Sequence, residues 1–236
     1  GSLGMQRADG EILAAQAAEG FGVPFTLSTM SICSIEEVAR NTSKPFWFQL
    51  YVMRDHDFAK RLVERAKAAQ CSALVLTLDL QILGQRHADI RNGLSIPLKI
   101  KLSNLFDLLS KPSWCYQMAR TKNRTFGNVM GHVKDITNLN SLTKWVQDQF
   151  DTRLNWDDVK RIKDWWGGKL IIKGIMDPDD AKMAQKCGAD ALVVSNHGGR
   201  QLDGVNSSIS TLPEIKKAVS NIDVLMDGGI SSGQDI

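Results

Sequence analysis

The chain has 236 residues, of which 43% are hydrophobic and 23% are charged, a composition typical of a globular protein with a sizeable core. The net charge of +3 does not indicate a nucleic-acid partner, and none is expected. The sequence has no run of about 18 apolar residues, so no membrane-spanning helix is predicted. The four cysteines are far apart and lack metal-ligand spacing, so we expect reduced thiols in a cytoplasmic protein, without disulfides or a metal site.

Six short apolar runs bounded by turn or capping residues are typical of strands in a parallel sheet, where both faces of each strand are buried. These predicted strands are residues 24–29, 46–51, 73–79, 170–175, 191–195 and 224–227. Amphipathic segments predict helices over residues 9–21, from 34 onward, and over 55–69, 155–165, 177–187 and 208–219. Asp9 is the expected N-cap of the first helix, and the sequence beginning at Ser34 predicts a capping box. This alternation indicates an α/β protein, either a doubly wound sheet or a (β/α)8 barrel.

Residues 84–150 interrupt the alternation and are much longer than an ordinary connection between a strand and a helix. Within them, residues 91–134 contain eight Lys or Arg residues and one acid, Asp107. An apolar stretch with helical spacing, residues 102–109, is followed by two aromatic residues. Three interpretations stay open: a solvated lid over an active site, an interfacial contact with a membrane, or a contact with a protein partner such as a cytochrome.

The sequence Ser195-Asn196-His197-Gly198-Gly199-Arg200-Gln201 follows an apolar run that predicts a buried strand. In parallel α/β proteins the carboxyl ends of the strands are where active sites are built. His197 can exchange a proton near neutral pH, and the planar guanidinium of Arg200 can bind a carboxylate through two hydrogen bonds. The two glycines predict a tight backbone that holds Arg200 in the site.

Lys173 lies inside the apolar strand 170–175. A buried charge without a partner is costly, so this lysine needs either a partner or a chemical purpose. A structural lysine that bridges to Asp79 or Asp227 is the alternative to a functional one.

The Ser195–Gln201 sequence resembles the signature of the FMN-dependent L-2-hydroxy acid dehydrogenases and oxidases, and the resemblance extends along essentially the whole chain. It implies a (β/α)8 TIM barrel, present here as a fragment that lacks the first and the last barrel strands. It further implies a single FMN-binding domain over residues 1–236, with the basic segment 84–150 as a loop or lid insertion, and assembly into a homotetramer.

The resemblance also implies catalytic and substrate-binding roles for five residues. His197 would be the base, and Asp79 would pair with it and stabilise the imidazolium. Arg200 would bind the substrate carboxylate, Arg86 would lie near the substrate, and the hydroxyl of Tyr51 would face the substrate.

By the same resemblance, FMN is the cofactor, and the residues that would contact it are Gly1, Ser28, Gln49, Thr77, Lys173, Ser195, Asp227, Gly228 and Gly229. Lys173 would supply positive charge where the reduced ring becomes negative, and the amides of Gly228 and Gly229 would contact phosphate. Ser231 departs from the family, whose members carry an arginine at this position; we therefore expect a weaker phosphate site.

The expected reaction is the oxidation of an L-2-hydroxy acid, with L-lactate to pyruvate as the favoured case and a cytochrome or quinone as electron acceptor. A glycolate-type oxidase that produces hydrogen peroxide is one alternative, and a non-catalytic barrel that binds FMN or phosphate is another. The expected location is the cytoplasm, with peripheral contact to the inner membrane through residues 91–134 as an open possibility.

Overall fold

The computed structural model describes residues 1–82, 84, 86–91, 109–133, 145, 148, 149 and 151–235. The strands in this part of the chain are β1 Thr26–Ser28, β2 Trp47–Tyr51, β3 Ala73–Thr77, β4 Lys169–Ile175, β5 Ala191–Val194 and β6 Asp223–Met226. The helices there are α1 Leu3–Gln6, α2 Gly10–Phe21, α3 Ile35–Arg40, α4 His56–Ala68, α5 His87–Arg91, α6 Pro112–Arg120, α7 Trp156–Trp166, α8 Pro178–Lys186 and α9 Ser208–Ala218.

The strands form one sheet in the order β1-β2-β3-β4-β5-β6. β1 pairs parallel with β2, and β3 to β6 pair parallel in succession. A doubly wound sheet reverses its strand order at a switch point, whereas a (β/α)8 barrel keeps its strands in chain order. The strand order therefore confirms the parallel α/β prediction and favours the barrel topology over the doubly wound one.

The chain divides into two compact units. Unit 1 comprises Gly1–Gln49, Arg65–Ser72 and His87–Gln149, and unit 2 comprises Leu50–Glu64, Ala73–Arg86 and Phe150–Ile236.

Unit 1 contains β1 and the start of β2, whose facing residues Leu27 and Phe48 are fully buried. The predicted capping box is confirmed, because the Ser34 hydroxyl accepts from the Glu37 amide and the Glu37 carboxylate accepts from the Ser34 amide. Asp9 is the N-cap residue of α2, as predicted, but its side chain makes no capping hydrogen bond. Its backbone is left-handed, with a φ of 56°, and its carboxylate accepts from Thr121 and Asn123 of a distant segment instead.

Unit 2 contains β3 to β6. Every residue of β3 is buried, as expected for a parallel strand covered on both faces. Helix α7 begins with a capping box between Asn155 and Asp158, and α8 begins with Pro178 after the capping carboxylate of Asp177. These N-capping interactions fix the residue at which each helix begins.

Several sequence-based boundaries shift in the structure. Asp79, Ser195 and Asp227 follow β3, β5 and β6 and are not part of them, because apolar periodicity does not mark where strand pairing stops. Helices α1, α5 and α6 were not predicted. The apolar stretch 102–109 lies, apart from Leu109, outside the described residues. In the described part of the chain, no helix combines the length and the apolarity that crossing a membrane requires.

Candidate active site

The polar residues of unit 2 cluster where its strands end. Asp79 comes two residues after β3, Ser195 directly follows β5, and Asp227 directly follows β6. Lys173 lies within β4, opposite Thr77, the last residue of β3. Since all four strands are parallel, these residues belong to one edge of the sheet.

His197 and Asp79 form a close pair. The imidazole Nδ1 lies 2.8 Å and 2.9 Å from the two carboxylate oxygens, and the side chains are only 15% and 13% exposed. The carboxylate can only accept, so Nδ1 carries the proton of this hydrogen bond. The other ring nitrogen, Nε2, is thereby left as the atom that can take up a proton.

The turn that carries His197 has an unusual backbone. His197, Gly198 and Gly199 have φ angles of 59°, 67° and 71°, in the left-handed region that non-glycine residues rarely adopt. Hydrogen bonds to side chains help to hold the turn: the Gly199 amide donates to the Asn196 side chain, and the His197 amide donates to the Ser195 hydroxyl. Such local strain is typical of functional sites.

Lys173 connects the neighbouring strand ends. Its ammonium group donates to the Ser195 hydroxyl at 2.6 Å and pairs with Asp227 Oδ2 at 3.0 Å. An ion pair with Asp227 is one of the two partners that the sequence analysis allows for a purely structural lysine. This ion pair offsets the cost of burying the lysine. The second carboxylate oxygen, Asp227 Oδ1, is buried and has no hydrogen-bond partner among the described residues. This acceptor is available for the hydroxyl of a bound molecule.

Gly174 is a residue of this edge that the sequence analysis did not select. Its φ is 99°, and a Cβ atom there would lie 2.8 Å from Cβ and Cγ of Asp79. The pairing of β4 with β5 also shifts register between Lys173 and Ile175. Only glycine fits this bulge, and the signal that could have identified it is a glycine inside an apolar strand.

The candidate substrate-binding residues are less tightly held. Arg200 is exposed, so the expectation that the glycine turn holds it inward stays a prediction. Arg86 is half-buried and donates to the Gln201 side chain at 3.4 Å, and Gln201 donates in turn to the carbonyl of Ile82 at 3.0 Å. Tyr51, at the end of β2, is half-buried.

A second group of candidate residues lies in unit 1. The Ser28 hydroxyl donates to Gln49 Oε1 at 2.9 Å, and it accepts from the amide of Met30 at 3.2 Å. The side chains of Ser28 and Gln49 are buried. Gly1 is exposed before α1. The Ser28 hydroxyl thus joins the turn after β1 to the Gln49 carboxamide.

The turn after β6 presents amides suited to an anion. Gly228 and Gly229 have φ angles of 123° and 84° and are exposed. Further along, the amides of Ser231 and Ser232 each donate to the Asp235 carboxylate at 2.8 Å, which holds the pKa of that carboxyl below its usual value. The backbone here already binds one carboxylate, as expected for a nest of successive N–H groups.

A histidine–carboxylate pair, a lysine and glycine turns at one edge of a parallel sheet define an α/β protein with an enzyme-like site. Residues 1–236 match the sequence model of the family described as FMN-dependent dehydrogenase, and the chain belongs to this family. This result confirms the resemblance seen in the sequence.

Curated relatives and solved structures agree with this assignment. The chain is 47% identical over 238 residues to L-lactate dehydrogenase of Haemophilus influenzae (strain PittEE), covering 100% of this chain and 62% of the relative. It is 46% identical, with the same coverage, to L-lactate dehydrogenase of Actinobacillus pleuropneumoniae serotype 5b (strain L20). The chain thus spans 62% of the length of these relatives.

Among solved structures, the chain is similar to the monotopic membrane protein (S)-mandelate dehydrogenase, with a TM-score of 0.90 and 32% identity over 99% of this chain and 61% of that one. It is also similar to mandelate oxidase, with a TM-score of 0.74 and 34% identity over 97% of this chain and 57% of that one.

Proposed function

We propose that the protein oxidises an L-2-hydroxy acid, with L-lactate to pyruvate as its reaction and FMN as its cofactor. The observation that carries the proposal is the His197–Asp79 pair at the edge of the sheet that also carries Lys173. The identity of 47% to an L-lactate dehydrogenase supports the choice of substrate.

The residues present suit FMN. When bound, FMN supplies the two-electron acceptor that amino-acid side chains lack. The buried, unpartnered Oδ1 of Asp227 would accept a ribityl hydroxyl, and Lys173 would place its positive charge near the ring. The further residues that would hold the cofactor are Gly1, Ser28, Gln49, Thr77, Ser195, Gly228 and Gly229. Ser231 can donate a hydrogen bond to phosphate but brings no charge.

The acid–base part of the reaction rests on His197. Oxidation of a 2-hydroxy acid to a 2-oxo acid removes two electrons and two protons: Nε2 of His197 would take one proton, and the two electrons and the other proton would pass to the cofactor. Asp79 holds Nδ1 and stabilises the positive charge that the ring acquires. Arg200 would bind the substrate carboxylate, and Arg86 and Tyr51 would contact the substrate beside it, which orients the hydroxyl-bearing carbon.

We further propose that the electrons pass to a cytochrome or quinone. The candidate alternative is an oxidase that reduces oxygen to hydrogen peroxide, which the likeness to mandelate oxidase favours.

The experiment is steady-state turnover of the full-length protein with L-lactate, glycolate or (S)-mandelate, with a dye acceptor or with oxygen. Dye-linked turnover that is fastest with L-lactate and yields little peroxide supports the proposal. Peroxide formed at the rate of the 2-oxo acid favours the oxidase, and absence of turnover with every acid contradicts both.

Peripheral membrane contact through residues 91–134 completes the proposal. Around α6, Lys111, Arg120 and Lys122 are exposed beside Leu109 and Tyr116, which are 69% and 61% exposed. The similar (S)-mandelate dehydrogenase is described as a monotopic membrane protein. Basic and exposed apolar groups together suit an anionic lipid surface.

Co-sedimentation of the full-length protein with vesicles tests this contact. Binding to phosphatidylglycerol vesicles that weakens with salt, and that charge reversal at Lys111 and Lys122 reduces, is the expected result. Equal recovery in the supernatant with and without vesicles would contradict it.

The family resemblance also implies a homotetramer. Light scattering on the same full-length protein measures this oligomeric state.

A further inference from the structure

Asn128 is a fully buried amide in unit 1, in the segment that follows α6. Its Nδ2 group donates to the carbonyls of Ser28 and Thr29 at 3.3 Å and 3.4 Å and to the Ser31 hydroxyl at 3.0 Å. Its Oδ1 accepts from the Ile35 amide at 3.0 Å. One side chain therefore joins the turn after β1 to the start of α3.

The orientation of this amide is determined by its surroundings. The atoms on one side are acceptors, and those on the other side are donors, namely the Ile35 amide and the Arg65 guanidinium. A flipped amide would place oxygen against the carbonyls of Ser28 and Thr29, so only one orientation satisfies the network. A buried polar network satisfied in this way is rigid.

The turn that Asn128 holds contains a candidate cofactor-binding residue. Ser28 contributes its carbonyl to Asn128 and its hydroxyl to Gln49. Thr29, the next residue, donates from both its amide and its hydroxyl to the Gln49 carbonyl, at 2.9 Å and 2.7 Å. Movement of the turn would therefore change the position of Ser28 and the direction of the Gln49 carboxamide together.

Arg65 supports Asn128 from the other side. Its guanidinium donates to the backbone carbonyl of Asn128 at 3.1 Å and binds both carboxylate oxygens of Glu36, at 2.6 Å and 2.8 Å. This bidentate ion pair fixes the orientation of the Arg65 guanidinium group, which also contacts Asn128.

We propose that Asn128 is a positioning residue of the cofactor site, which holds the Ser28 turn and through it the Gln49 side chain in the orientation that FMN binding requires. The inference rests on the proposed function, because it assigns the purpose of the network to FMN. It places a requirement for FMN affinity at a residue that lies 100 positions along the chain from Ser28.

The experiment measures the FMN dissociation constant of the full-length apoprotein by flavin fluorescence, beside its thermal midpoint. Asn128→Asp keeps the shape and the acceptor for Ile35 but turns the donor group into an oxygen that faces two carbonyls. The loss of these hydrogen bonds is expected to raise the dissociation constant about ten-fold. Arg65→Gln, which leaves Asn128 in place but removes its support, is expected to raise it about three-fold and serves if the first variant does not fold.

Asp190→Asn is the matched control. Asp190 accepts from Lys163, Lys169 and the Leu170 amide in unit 2, so its loss lowers the thermal midpoint without touching the Ser28 turn. FMN affinity is expected to be unchanged in this control. If Asn128→Asp and Arg65→Gln lower the thermal midpoint but keep the dissociation constant within about two-fold of wild type, Asn128 is merely structural and the inference is wrong. A wild-type protein that binds no FMN would overturn the proposed function as well, which separates the two failures.

Discussion

At the scale of single residues, the proposed chemistry depends on how the backbone and the Asp79 side chain hold the His197 ring. Its φ of 59° is unfavourable for a residue with a Cβ atom, and the Asp79 carboxylate contacts only one of its ring nitrogens. The fixed tautomer leaves Nε2 free, as the proposed role of His197 as a base requires. The same carboxylate packs against Gly174. The charge of Asp79 is thus the property whose removal is most informative.

Asp79→Asn is expected to slow reduction of the bound flavin by L-lactate about 10²-fold, because the amide keeps the shape but no longer stabilises the imidazolium. Anaerobic stopped-flow absorbance measures this rate. Asp203→Asn, at an exposed position near the same motif, is the control and should react at the wild-type rate. A wild-type rate in Asp79→Asn would remove Asp79 from the mechanism.

Ser231→Arg is expected to tighten FMN binding about five-fold, because a guanidinium adds a charge-assisted hydrogen bond to phosphate. The gain should shrink as the salt concentration rises. FMN titration of the apoprotein at two salt concentrations measures it. An affinity that does not change would show that the phosphate does not lie beside residue 231.

At the scale of elements, the sequence was informative wherever the determinant is local. Apolar runs located all six strands of the described residues, and Ser34 with Glu37 located the start of α3, because these signals lie within a few residues of one another. Asp9 makes no capping hydrogen bond because its carboxylate binds residues more than 110 positions away. No local pattern reports such a contact.

The candidate site divides in the same way. His197, Arg200 and Lys173 were selected because their residue types stand out in their local sequence. Gly174 and Asn128 were not, because their importance comes from Asp79 and Ser28, which are distant in sequence and meet them only in the fold.

Gly174→Ala is expected to destabilise the protein by about 1–3 kcal/mol and to slow flavin reduction, because the new methyl group displaces Asp79 and the φ of 99° disfavours alanine. Gly20→Ala is the control: it lies in α2 with open space around it and should stabilise by about 0.5–1 kcal/mol. Urea unfolding measures both. Equal stability of Gly174→Ala and wild type would mean that β4 has no bulge there.

The contact between α3 and α4 predicts a pH dependence. Arg65 lowers the pKa of Glu36 from 4.5 to about 2 in the folded state. A carboxyl whose folded pKa is lowered stabilises the fold above its unfolded pKa, and this stabilisation is lost as the pH falls from 4.5 towards 2. Glu36→Gln should therefore lose stability at pH 6 and show a shallower decline between these two pH values. Urea unfolding at each pH measures the difference, and parallel curves for the variant and wild type would contradict the prediction.

At the scale of the whole molecule, the family assignment covers residues 1–236. The candidate residues are shared by the two units, with Ser28 and Gln49 in unit 1 and the His197, Asp79 and Lys173 cluster in unit 2. The proposed function assigns the oxidation of an L-2-hydroxy acid to the His197, Asp79 and Lys173 cluster with bound FMN, and that claim is the one to test.

Anaerobic addition of L-lactate to the full-length, flavin-bound protein tests that claim most directly. The visible absorbance of the bound FMN is expected to bleach in the wild type, and His197→Gln is expected to retain the flavin but to bleach about 10²–10⁴ times more slowly. A protein that binds FMN but is not bleached by L-lactate or another L-2-hydroxy acid, or that bleaches equally fast without His197, would contradict it.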